Sequence, residues 1–101
     1  MATTTKALFR GAATTTLTTT LYTVPASTTA VVTNIVVTNT AATAATFDLA
    51  LNGTKLADTV TIAADTIVVI DLKQVISATQ TIAGGASATT VNFHISGVEI
   101  A

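Results

Sequence analysis

The sequence has no cysteine and no tryptophan, one proline, one histidine and five glycines in 101 residues, and only 9% of those residues are charged. Each scarcity removes a class of chemistry. Without cysteine there is neither a disulfide framework nor a thiolate metal site, and the redox compartment leaves no mark on the chain. The nine charges sum to −1, whereas nucleic-acid binding draws its affinity from clustered Lys and Arg, so no nucleic-acid partner is expected. Mean hydropathy is +0.69, but the apolar residues come in short runs such as Ile67 to Ile70, and a spanning helix needs about 18 in succession, so no membrane partner is expected either. The first residues, Met1 to Lys6, lack the basic segment followed by an apolar segment of a secretory signal, which makes synthesis in the cytoplasm the expectation.

What fills the chain instead is threonine, at 25 positions, with alanine at 19. An average domain is about 25% charged; here hydroxyls and methyls replace most of that charge. Burying a hydrogen-bonded hydroxyl demands far less than burying an ion, so such an exterior is readily covered by neighbouring chains. The plainer reading is that Thr is a good strand former on solvent faces. Val, Ile and Thr together hold 44 positions, and β-branched side chains fit a pleated sheet better than a helix, so the chain is expected to be all-β. At this length folding hides about 64% of the surface the chain could expose, enough for one core without staples.

Along the chain, residues 1–16 read as an extended Thr-rich N-terminal arm, dispensable for folding and ordered by a partner surface, with Leu8, Phe9 and Arg10 as its contact residues. Residues 17–101 read as a β-sandwich domain. A first strand alternates from Leu17 to Thr23 and stops at the Val24-Pro25-Ala26-Ser27 turn. Residues 30–39 carry aliphatics on both faces, as a central strand does. Asn52-Gly53 is a two-residue hairpin turn, which pairs Leu51 with Thr54, Ala50 with Lys55 and Leu49 with Leu56. Further strands are expected at Val60 to Ile62 and Thr66 to Leu72, then one helical turn capped by Asp71, and a loop at Gly84-Gly85. In the last strand Val91, Phe93 and Ile95 share a face, but Val98 and Ile100 have the opposite parity, which predicts a bulge at Gly97. Seven or eight short strands with regular turn signals argue for an antiparallel sandwich, immunoglobulin-like or jelly-roll.

Catalytic signals are weak. A Ser-His-Asp relay has only His94 to use, and there is no strained nucleophile turn to accompany it. The four Asp residues do not follow the alternating spacing of a calcium loop, and no glycine-rich loop leads into a lysine to cradle phosphate. No catalytic, metal-binding or cofactor-binding residue is assigned, and no enzyme is expected. Phe47 and Phe93 fall on apolar faces and read as core. Tyr22 is the sole candidate for an aromatic surface contact, although a packed ring with its hydroxyl at the edge is the simpler reading.

Leu21-Tyr22-Thr23-Val24-Pro25-Ala26, the run Ala30 to Asn39, the Leu-Asn-Gly hairpin and the closing His94-Ile95-Ser96-Gly97-Val98-Glu99 together resemble small β-sandwich structural proteins of tailed bacteriophages. The resemblance spans roughly residues 17–100 and does not extend to the Thr-rich segment before Leu17. It implies a non-enzymatic virion protein, first of all a capsid decoration (cement) subunit that binds the major capsid protein lattice and stabilises the head. The alternative it implies is a tail-tip, tail-fibre or other tail accessory module that meets the host surface. A homo-oligomer, with a trimer favoured, and a place in the virion follow as expectations.

Overall fold

The computed structural model describes residues 2–101. Eight strands follow one another: β1 (Thr3–Ala12), β2 (Thr19–Thr23), β3 (Thr29–Asn39), β4 (Ala45–Leu51), β5 (Thr54–Ile62), β6 (Thr66–Ile76), β7 (Thr81–Ala86) and β8 (Val91–Ile100). They form two four-stranded antiparallel sheets, a first sheet in the order β1-β8-β3-β6 and a second in the order β2-β7-β4-β5. No helix occurs among the described residues. The molecule is drawn out along one axis, 46 × 21 × 18 Å.

A single hydrophobic core takes side chains from both sheets. Phe47 of β4 and Phe93 of β8 meet at its centre with ring centroids 6.2 Å apart and planes at 72°, the edge-to-face arrangement that aromatic quadrupoles favour. Ile35 and Ile95 of the first sheet and Leu49 and Ile82 of the second are fully enclosed around them. β3 lies between β8 and β6, and its bulge at Thr33 shifts the alternation so that Val32, Ile35 and Val37 all face the core, which explains why aliphatics occur at both parities. At the hairpin, Asn52 and Gly53 both take positive φ, 48° and 79°, and Leu51 pairs with Thr54 and Ala50 with Lys55 as expected.

Several expectations are corrected. Residues 3–12 are not a free arm but the edge strand β1, paired with β8 from Thr3↔Ile100 to Ala12↔Asn92. Backbone hydrogen bonds extend the zipper at both ends, from Ala2 N to the Ala101 carbonyl at 2.7 Å and from Ala13 N to the Val91 carbonyl at 2.8 Å. Thr suits an extended edge with one exposed face, and β8 would otherwise have a neighbour on one side only. Leu49 faces Ala57, not Leu56, because the β4–β5 ladder slips there and turns Leu56 outward. The expected helical turn after Asp71 is a continuation of β6.

Gly84 and Gly85 lie inside β7, not in a loop. A Cβ on Gly85 would come within 2.8 Å of the Leu17 Cα, and one on Gly84 within 2.9 Å of Leu49 Cδ2. Gly97 is not a bulge of β8 either. β8 alternates straight through it, and the slips fall on its neighbours, at Leu8 in β1 and Thr33 in β3. A Cβ on Gly97 would fall on the Val31 carbonyl oxygen and within 2.8 Å of Leu8 Cδ1, so the glycine is there for a close approach of backbones.

Candidate interaction surface

The outward face of the first sheet is built by strand alternation, and its rows can be read across the ladder. One row runs Arg10, His94, Val36, Val69; the next but one runs Thr5, Val98, Val31, Val75; between them lie Ala7, Ser96, Asn34 and Asp71. The face is thus hydroxylic and basic toward β1 and aliphatic toward β6. On β6 itself Ile67, Val69 and Val75 are 61%, 63% and 68% exposed. Single exposed aliphatics are ordinary, but three on one face of one strand form a stripe. The only charges on that stripe are Asp71 and Lys73, with 3.9 Å between carboxylate and ammonium.

The sequence-derived contact residues divide. Leu8 is only 7% exposed and belongs to the core, with Phe9 packed against it, so neither is presented to a partner. Arg10 alone stays exposed, opposite His94 on the outward face. His94 shares that face with Asn92 and Ser96, as the alternation of β8 requires.

Tyr22 is no stacking platform. Its ring packs against the core and its hydroxyl donates to Glu99 Oε2. Lys6 Nζ lies 3.6 Å from the same carboxylate oxygen. Burial and the hydrogen bond to an anionic acceptor together push the Tyr22 phenol well above its ordinary value. This trio joins β1, β2 and β8, and so ties the edges of the two sheets to each other.

A second polar group was not visible in the sequence. Asp48 sits on the outward side of β4 yet is only 2% exposed. It accepts from the Lys55 ammonium, and its Oδ1 accepts from Thr59 N–H at 3.2 Å. Lys55 holds the Asp48 carboxyl below the usual carboxylate range, outweighing the effect of burial, and the carboxylate in turn raises Lys55. Thr59 takes a φ of 52°, rare for a β-branched residue, where Asp58 and Thr59 together oppose Asp48. The group fastens a bulged β5 to β4.

Among the described residues, no three His, Asp or Glu side chains gather closely enough to hold a metal ion. A surface depression of about 250 Å³ between β5 and β6, lined by residues including Leu51, Leu56, Gln74 and Val75, has Lys55 as its one titratable group. The arrangement offers contact area and a few fixed polar ties. No protein-family model matches the chain, and no curated protein matches it significantly.

Proposed function

We propose that the chain is a non-enzymatic structural protein of a bacteriophage virion, foremost a capsid decoration (cement) subunit that binds the major capsid lattice and stabilises the head. The observation that carries this reading is the exterior. A sheet face that ends in exposed Ile67, Val69 and Val75, on a chain with so few ions, is readily desolvated against other protein chains. The strand orders β1-β8-β3-β6 and β2-β7-β4-β5 support a jelly-roll sandwich, an architecture of eight strands in two sheets that recurs in viral shells. Contact with identical copies and with the major capsid protein belongs to the same reading, as does a place in the virion after synthesis in the host cytoplasm. The three-fold arrangement favoured by the resemblance has no particular surface of the chain to carry it. The tail alternative has less support, because the Tyr22 ring, the aromatic it would offer a host glycan, packs against the core.

Cryo-electron microscopy of phage particles purified from cells that produce the protein tests the proposal. Density for the two-sheet domain at repeated positions on the head lattice is the expected result. Density confined to the tail, or particles without the protein, would overturn it.

A further inference from the structure

β6 is hydrogen-bonded on one side only, by β3, and its other side is an open edge. Open edges invite pairing with another chain, and proteins guard them by shortness, bulges or charges. The other three edges are guarded. β2 has five residues; the β5 ladder slips twice and carries Lys55 and Asp58; β1 is Thr-rich, carries Lys6 and Arg10 and slips at Leu8. β6 is 11 residues long, and although its ladder with β3 slips once, where Leu72 and Lys73 together oppose Thr33, its side chains keep their alternation, so that its odd-numbered residues from Ile67 to Val75 share the outward face and three of those five are exposed aliphatics.

We propose that β6 pairs antiparallel with β6 of a second copy of this chain, about a two-fold axis at Leu72. Read outward from Leu72, the outward face shows Asp71 on one side and Lys73 on the other, then Val69 and Val75. Antiparallel pairing centred there sets Asp71 opposite Lys73 of the partner subunit and Val69 opposite Val75 of the partner subunit, each twice by symmetry. Both charged side chains are free for this, at 82% and 79% exposure. On the inward face Leu72 meets its own counterpart, and Val68 meets Ile76 of the partner subunit, which prolongs the apolar layer beneath.

Neighbouring registers fail on charge, on apolar match or on face; centring on Ile70 or Gln74 sets Lys73 against an aliphatic side chain. Centring on Asp71 opposes two aspartates, centring on Lys73 opposes two lysines, and like charges directly opposite are destabilising. A slip of one residue brings outward side chains against inward ones and breaks the continuity of both faces. A parallel arrangement in register again opposes like charges. The Leu72 register alone among these satisfies charge, apolar match and face together. It closes a two-fold, self-complementary interface and yields one continuous eight-stranded sheet.

The inference rests on the proposed packing role for its biological setting, but its test uses the purified full-length chain with no particle present, so either can fail alone. Sedimentation equilibrium of the native chain is expected to show a dimer. Lys73→Asp, which opposes aspartates in this register, is expected to raise the dimer dissociation constant by about ten-fold or more. The double variant Asp71→Lys/Lys73→Asp, which exchanges the charges, is expected to restore it. Thermal unfolding of each variant serves as the folding control.

Because the chain has no cysteine of its own, mixing Val69→Cys and Val75→Cys chains under mild oxidation reads the register. A disulfide between the two different variants is expected, with no dimer from either variant alone. A native chain that stays monomeric at millimolar concentration would overturn the proposal, as would association indifferent to Lys73→Asp, or a cross-link joining position 69 to position 69.

Discussion

β1 and β6 are the two outer strands of one sheet, each with a hydrogen-bonded neighbour on a single side, and they meet that condition in opposite ways. β1 turns Thr3, Thr5 and Arg10 outward and keeps its apolar residues, Leu8 and Phe9, for its own core. β6 turns Ile67, Val69 and Val75 outward and keeps only a facing Asp71–Lys73 pair among them. An edge of the first kind ends the sheet; an edge of the second kind leaves it unfinished. Substitutions should therefore damage the fold at β1 and the association at β6.

The largest expected effect comes from removing the first edge. Deletion of residues 2–12 takes away the partner of β8 and the Leu8 contribution to the core, so the truncated chain is expected to lose its cooperative unfolding transition. A truncated chain that melts cooperatively near the native midpoint would return these residues to the status of an arm. A finer contrast uses one side chain from each edge. Leu8→Ala is expected to lower stability by about 2–5 kcal/mol, the range for emptying a buried leucine site. Val69→Ala should stay within about 0.5 kcal/mol at concentrations where the chain is monomeric. Denaturant titration of both variants checks the difference.

A smaller effect than that of Leu8→Ala concerns the tie that holds β1 to the second sheet. Tyr22→Phe removes the hydrogen bond to Glu99 and is expected to lower stability by about 1 kcal/mol at neutral pH. The phenol ionises less readily in the fold than in the unfolded chain, so its contribution is whole below about pH 10 and is lost as pH rises toward the folded value. The native chain should thus lose stability in alkali where the Phe variant does not, as thermal melts across that range would show. Equal alkaline slopes would mean that the tie between the sheets is held by something other than this hydroxyl.

How far the sequence can be read follows from the same physics. Strand β3 and the Asn52-Gly53 turn were legible because they depend on local rules, namely a run of β-branched residues and tolerance of positive φ, although the bulge at Thr33 regroups the faces of β3. Phe47 and Phe93 were legible as core for the same reason. β1 was not, since a run of threonines looks alike whether it is loose or half of a ladder, and its partner lies some ninety positions away. The bulges at Leu8 and Thr33 escaped notice because they answer a constraint on another strand, the close packing around Gly97. Nothing in the sequence singled out Asp48; its burial depends on a β5 bulge that the hairpin rule does not foresee. At the candidate surface, alternation put His94 on the outward face beside Asn92 and Ser96, but the exposed stripe of β6 emerged only once the strand proved to run past Leu72 to Ile76.

The ladders are also nested: β4 with β5 inside, then β3 with β6, β2 with β7, and β1 with β8 outermost. Only the innermost pair joins strands consecutive in the chain. Loop closure must precede the contacts that reward it, so the Asn52-Gly53 hairpin is the natural seed and the outermost ladder the last to close. On the ribosome the first-made strand therefore waits for the last-made one. A waiting segment rich in hydroxyls, with its few apolar groups gathered at Leu8 and Phe9, offers little for stray chains to seize in the interval.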